Sequence, residues 1–187
     1  MIFLTILMDV VPYFGFIRFA SINITNLHIP AILTAIVLGP GWGVVVGSLF
    51  GLISLMRAVS RESAVLDLLL QNPLISILPR LCFPCLAGYL YLFLKKHLGE
   101  KNETASVAIS AVTGSCLNSV LVLGSLYLIY PDEFLEVLNM EDASHIPSRL
   151  FYAFGPNMAM EALACMTVCL IFVYCLRRMT TNQELEE

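Results

Sequence analysis

The stretch that decides the fold of this chain is residues 105–130, ASVAISAVTGSCLNSVLVLGSLYLIY. It contains no charged side chain and no proline, and its residues do not alternate as those of a strand do. As a helix it is about 39 Å long, enough to cross a hydrocarbon core of roughly 30 Å. Helices also satisfy their own backbone hydrogen bonds in lipid. The stretch is therefore predicted to be a transmembrane helix.

Composition extends this prediction to the whole chain, which is 58% hydrophobic and 13% charged. A soluble domain carries about twice that charged fraction. Further apolar runs lie at about 1–19, 27–38, 42–57, 73–94 and 149–176. We predict an all-α membrane protein, a bundle of six transmembrane helices forming a single domain, 1–176, with a short tail, 177–187. The net charge of −4 provides no basic surface for nucleic acid.

The distribution of basic residues predicts the orientation of the bundle. Lys95, Lys96 and Lys101 follow the fourth run, and Arg177 and Arg178 end the sixth. Basic residues accumulate on the cytoplasmic side, so this face and both termini are predicted to be cytoplasmic. The loop 131–148 is acidic, lacks lysine and arginine, and is placed outside.

Two runs depart from an ordinary bundle. A helix over 26–38 is only about 20 Å long, so the bilayer thins around it or its neighbours bury it. In the next run, glycine recurs at every fourth position, at Gly39, Gly43, Gly47 and Gly51. A glycine face lets helices approach closely in lipid. It serves either internal packing or the docking of a partner subunit.

A few polar residues interrupt the apolar runs, where their burial is costly. Arg80, Asn118, Asn157 and Glu161 are predicted to lie in the outer half or the middle of the membrane, where they would line a pocket open to the exterior. Alternatively, Arg80 pairs with Glu161 and the asparagines bridge helices. Asp9 lies in the first run, and its role stays open.

Other polar residues stand at the predicted outer mouths of helices. Asn26 and His28 precede Pro30, and Asn72 precedes Pro73. These groups either line the rim of a cavity or cap the helices that follow them.

The sequence contains no motif that indicates an enzyme. The chain contains neither G-x-x-x-x-G-K-[ST] nor G-x-S-x-G, and its histidines fall in loops or at helix mouths. Cys82 and Cys85 have C-x-x-C spacing but lie in an apolar run without a second pair nearby. The chain is predicted to bind a ligand rather than to catalyse a reaction, with no metal and no cofactor of its own.

Six short motifs, in this order, carry a resemblance to a known family. They are 26–30 (NLHIP), 38–40 (LGP), 47–52 (GSLFGL), 78–81 (LPRL), 117–124 (LNSVLVLG) and 157–162 (NMAMEA). With them, the chain resembles the substrate-binding S components of energy-coupling factor (ECF) vitamin transporters of bacteria and archaea, over about residues 22–176.

The resemblance implies a multi-pass cell-membrane protein that captures a vitamin outside and delivers it inward. It implies a transmembrane coupling subunit and two ATPase subunits as partners, which use the ATP. It places Arg80, Asn118, Asn157 and Glu161 at or near the vitamin, with the loops 20–28 and 57–72 as a lid. The stretch 26–30 and the Asn157–Glu161 spacing look most like pantothenate-type members, while folate, pyridoxine or a thiamin precursor stay open.

The sequence departs from the family pattern in its first apolar run. Family members carry two alanines four residues apart in the first helix, where it meets the coupling subunit, but residues 1–19 contain no alanine. Ala31 and Ala35, together with Gly43, Gly47 and Gly51, are the candidate docking residues instead. A rival hypothesis is a self-sufficient secondary transporter or channel for a small polar solute, although no internal repeat is found.

Overall fold

A computed structural model describes residues 16–19, 22–60, 68–99, 102–137 and 146–184. Several predictions therefore lie outside the described residues. They concern most of the first helix with Asp9, part of the lid at 61–67, part of the acidic loop at 138–145 and the end of the tail.

A β-hairpin stands where the first predicted helix was expected to end. Strand β1 (Phe16–Phe19) pairs antiparallel with strand β2 (Ile22–Thr25), with Phe16 opposite Thr25. The prediction of helix for residues 16–19 is wrong. Residues 16–25 are rich in aromatic and β-branched side chains, which favour strands, and their apolar character alone does not distinguish a strand from a helix.

The short second run forms a helix in the middle of the molecule. Helix α1 (Ile29–Val37) is buried from Ile29 to Ile36. It packs against every longer helix of the described chain, so burial by neighbours accounts for its length. The turn that follows uses Gly39, whose φ of 101° is a conformation that glycine adopts without strain. Helix α2 then begins directly at Pro40.

The remaining elements are helical. They are α2 (Pro40–Ser60), α3 (Pro73–Ser76), α4 (Leu78–Leu98), α5 (Glu103–Ile129), α6 (Pro131–Val137) and α7 (Ile146–Glu184). Four stretches of the described chain are long and apolar enough to cross a membrane: Pro40–Ser60, Pro73–Leu98, Glu103–Ile129 and Ser148–Met179. These correspond to the third to sixth predicted runs. The total of six helices and the orientation of the termini stay predictions.

Packing around α1 defines the core. Its Ile32 and Leu33 join Phe50 of α2 and Phe83 of α4 in one buried apolar cluster. A second cluster, of Leu69, Ile75, Leu126 and Phe134, lies toward the C-terminal end of α5. Strand β2 runs alongside α7, so the hairpin adjoins the helix that carries Asn157 and Glu161.

The candidate docking residues face inward. All five are buried: Ala31, Ala35, Gly43, Gly47 and Gly51. A Cβ atom on Gly43 would lie 2.5 Å from the Cβ of Ala35, and one on Gly47 would lie 2.2 Å from the Arg80 carbonyl oxygen. These residues pack α2 against α1 and α4, the internal packing that the sequence left as one alternative, and their role in docking a partner stays a prediction.

Candidate functional site

Just before α1, His28 is joined to α5 by a buried hydrogen bond. His28 is fully buried, and its Nε2 lies 3.0 Å from the Oγ of Ser115. Ser115 was not among the predicted site residues, because a serine in an apolar run is unremarkable by itself. Its position three residues before Asn118, on the same side of the helix, was the signal that could have identified it.

Asn118 places an amide on the same side of α5 as Ser115. Its side chain is buried, and its Oδ1 atom has no hydrogen-bond partner among the described residues. Leaving a buried polar atom unsatisfied costs about 1–3 kcal/mol. Such an atom is suited to accept a hydrogen bond from a bound ligand. Asn26, which follows β2, is also buried.

On α7, Asn157 and Glu161 form a hydrogen-bonded pair. The Asn157 Nδ2 donates to the Glu161 Oε1 over 3.2 Å, and the Glu161 side chain is buried. The Asn157 Oδ1 atom is buried and lacks a partner in the described part of the chain. Helix α7 packs against α5, the helix that carries Asn118.

Arg80 is held by a different set of neighbours. Its Nη1 donates to the Ile75 carbonyl oxygen at 2.6 Å, and its Nη2 donates to the Ser54 hydroxyl at 3.4 Å. The guanidinium also lies 5.7 Å from the centre of the Phe50 ring. Arg80 and Glu161, both described, form no ion pair with each other. The buried Nε of Arg80 has no acceptor among the described residues.

The residues of the candidate site thus fall into groups. The His28–Ser115 bond connects the start of α1 with α5, which also carries Asn118, while Asn157 and Glu161 lie on α7, which packs against α5. Arg80 contacts α2 and α3 instead. We call the five residues on α5, α7 and the N-terminal end of α1 the polar interior. Its buried carboxylate, amides and hydroxyl can bind hydrogen-bonding groups of a small ligand. Among the described residues, no group of three His, Cys, Asp or Glu side chains could hold a metal ion.

Asn72 is a helix cap. Its Oδ1 accepts a hydrogen bond from the Leu74 backbone N–H at 3.0 Å, which caps α3. Its Nδ2 donates to the Tyr130 hydroxyl at 3.2 Å and so ties α3 to the end of α5. The sequence left two roles open for Asn72, the rim of a cavity or a helix cap, and its hydrogen bond to Leu74 shows the cap.

Replacing Asn72 should separate these two bonds. Asn72→Ala loses both, and we expect it to lower the free energy of unfolding by about 2 kcal/mol. Asn72→Ser keeps a capping oxygen and loses the amide that donates to Tyr130, so about half of that loss is expected. Thermal unfolding in detergent, with Tyr130→Phe as the matched control, measures both. Equal destabilisation by the alanine and serine variants would contradict the cap.

Comparison with known proteins identifies the family to which the chain belongs. A search of curated proteins finds no match. The family described as "ECF transporter, substrate-specific component" matches residues 2–176, nearly the whole chain. This match includes the hairpin, α1 and, up to residue 176, the four stretches of the described chain that are long and apolar enough to cross a membrane. The chain belongs to the family of substrate-specific components of ECF transporters.

Proposed function

We propose that this chain captures a small vitamin at the outer side of the membrane and that the polar interior is where the vitamin binds. Membership of the family makes it a transport subunit of an ECF importer rather than an enzyme. The observation that carries the proposed site is the pair of buried amide oxygens, on Asn118 and Asn157, without partners in the described chain. In an apolar bundle such atoms favour a ligand that donates hydrogen bonds.

We favour pantothenate among the vitamins. It carries hydroxyl and amide N–H groups that can donate to the two asparagines, and a carboxylate. The sequence suggested Arg80 for that carboxylate, but its guanidinium is held by Ile75 and Ser54, outside the polar interior. Glu161 would then accept a hydrogen bond from a hydroxyl and disfavour a second acid near it. Folate, pyridoxine and a thiamin precursor are the other candidates.

In this proposal, partner subunits supply the energy for transport. The family implies a coupling subunit and ATPase subunits, and the sequence has no nucleotide-binding loop of its own. The burial of Gly43, Gly47 and Gly51 leaves other surfaces for the coupling subunit. The exposed apolar face of α2, with Trp42 and Met56, contacts lipid or that partner.

A vitamin panel tests the proposal directly. Native mass spectrometry of the purified chain should detect one bound small molecule, and calorimetry with a panel of vitamins should find one ligand bound tightly, with a one-to-one ratio. Pantothenate is the expected ligand. Binding of another vitamin would overturn the choice of pantothenate, and absence of binding across the panel would overturn the site.

The rival function predicts a different result in liposomes. A buried carboxylate in a spanning helix, such as Glu161, is also typical of proton-coupled carriers. A carrier of that kind would take up the vitamin with the chain alone, driven by a proton gradient. We expect no uptake by the chain alone, and uptake only when coupling and ATPase subunits are reconstituted with it and ATP is supplied.

A further inference from the structure

A buried carboxylate joins three helices at the end of the bundle that the sequence predicts to be cytoplasmic. Glu103 begins α5 and is buried. It accepts a hydrogen bond from the Tyr91 hydroxyl of α4, and the Lys95 Nζ of the same helix lies 3.3 Å from its Oε1. Its Oε2 pairs with Arg177 of α7. Two contacts therefore tie Glu103 to α4, and the ion pair ties it to α7.

Beside this ion pair, a groove separates α5 from α7. It has a volume of about 350 Å³ and is lined by both charged residues, by Val107 of α5 and by Leu170 of α7, among others. Farther from the charges the two helices pack closely, and Cys169 of α7 lies in the same buried cluster as Val107. The ion pair therefore bridges a part of the α5–α7 interface that side-chain packing does not fill.

The ion pair can open without leaving a buried charge alone. Glu103 would keep its contacts with Tyr91 and Lys95 on α4. The Arg177 side chain is 54% exposed and makes a further interaction of its own. An ion pair with one partner this exposed contributes little to stability. Opening would therefore free the end of α7 while α4 and α5 stay joined.

Helix α7 also contains a point at which it can bend. Pro156 lies inside the helix and cannot donate a backbone hydrogen bond to the Tyr152 carbonyl oxygen. Sharp bends in helices occur at such prolines. Asn157 and Glu161 follow this point directly, whereas Arg177 lies about 31 Å along the helix from it. A swing of about 4 Å at Arg177 would then move Glu161 by about 1 Å, enough to break a hydrogen bond.

We propose that the Glu103–Arg177 pair is a latch that holds α7 against α5, and that Arg177 is thereby a positioning residue for the polar interior. When the latch opens, the part of α7 that follows Pro156 swings away from α5 and the groove widens. Asn157 and Glu161 lie on the moving part, so their geometry toward α5 changes with it. The effect on a bound vitamin rests on the proposed function, whereas the latch itself does not.

Thiol labelling of the purified full chain in detergent tests the latch without a ligand. Cys169 is fully buried and adjoins Leu170, which lines the groove, so N-ethylmaleimide should reach it only when α7 moves. Its labelling rate then follows the population of the open form. Arg177→Gln should raise this rate about fivefold, the factor that corresponds to about 1 kcal/mol. Arg177→Lys, which keeps a cation for Glu103, should label at the rate of the parent.

Controls separate a latch from a general loss of structure. Arg178→Gln removes the adjacent exposed arginine, and Lys95→Gln removes a cation from the same carboxylate without removing a contact to α7. Neither should accelerate the labelling of Cys169. Cys82, on α4, should keep the rate of the parent in Arg177→Gln. The latch is overturned if Cys169 is not accelerated, if Cys82 is accelerated equally, or if either control variant matches Arg177→Gln.

Adding pantothenate tests the positioning role separately. A ligand that binds only the closed form lowers the population of the open form, by up to about 100-fold at 100 times its Kd. At that concentration, pantothenate should slow the labelling of Cys169 at least about tenfold and leave Cys82 unchanged. Pantothenate that binds without slowing Cys169 would overturn the positioning role. If no vitamin binds to the parent, the proposed function fails, and the labelling rates without ligand still decide the latch.

Discussion

Gly47→Ala is expected to destabilise the packing of the bundle strongly. A Cβ atom at Gly47 would lie 2.2 Å from the Arg80 carbonyl oxygen and 2.8 Å from the Pro84 Cγ. Neither neighbour can move by itself, because one is backbone and the other is a proline ring in the middle of α4. Helices α2 and α4 would have to separate, which we expect to cost about 3 kcal/mol or more. Total stabilities of proteins are about 5–15 kcal/mol, so this is a large share of the total, and the unfolding temperature should fall by about 6–12 °C.

Gly124→Ala is the matched control for this prediction. Gly124 also lies within a long helix, α5, but a Cβ atom there would meet nothing within 4 Å. Alanine favours helix over glycine by about 1 kcal/mol, so this variant should be as stable as the parent or slightly more stable. Fluorescence-detected size-exclusion chromatography with a temperature series compares the two. A Gly47→Ala protein that elutes and unfolds like Gly124→Ala would show that the close helix contact is not needed.

Glu161→Ala and Asn157→Ala are expected to lose most of the affinity for the vitamin that the panel identifies. The two side chains are hydrogen-bonded to each other at 3.2 Å, so each variant also leaves its partner without that bond. A hydrogen bond to a charged group contributes about 1.5–3 kcal/mol, which corresponds to about a 10- to 150-fold loss of affinity. Calorimetry on the purified variants measures this loss.

Two further variants show whether charge or contact matters at Glu161. Glu161→Gln keeps an oxygen that can accept from Asn157 but removes the negative charge. Glu133→Ala, on an exposed position of α6, is the control for loss of an acid elsewhere in the chain. If the ligand donates to the carboxylate, Glu161→Gln should bind more weakly than the parent and more tightly than Glu161→Ala. Normal binding by both Asn157→Ala and Glu161→Ala would exclude these residues from the site.

Apolar runs were sufficient to predict the spanning helices, but not the chain that precedes α1. The runs at 42–57, 73–94, 105–130 and 149–176 all lie in helices that can cross a membrane, because about 20 apolar residues in lipid have few alternatives to a helix. Residues 16–19 belong to an equally apolar run and are a strand. There, residues 16–19 pair with residues 22–25, and composition contains no information about pairing.

The candidate site was predictable in part. Buried polar residues are conspicuous in an apolar run, so Asn118, Asn157 and Glu161 could be identified without coordinates. Contacts between distant residues could not be predicted in this way. The hydrogen bond between His28 and Ser115, for example, joins residues 87 positions apart. The sequence left pairing of Arg80 with Glu161 as one alternative, but Arg80 contacts Ile75 and Ser54. Two opposite charges within a membrane protein need not form an ion pair when backbone carbonyl and hydroxyl oxygens lie closer to the cation.

The residues 105–130 and the similar runs around them determined by themselves that this is a helical membrane protein, because transfer of apolar side chains into lipid depends on composition alone. Only the tertiary structure decided which face of each helix meets which neighbour. The sequence left packing and docking open for Gly43, Gly47 and Gly51, and the structure shows α1 and α4 packed against their face. Glu103 is the first residue of a helix, next to a basic linker, and would be solvated if α4 and α7 did not bring Tyr91, Lys95 and Arg177 to it. Burial and pairing arise from contacts between distant segments, and a local pattern does not contain them.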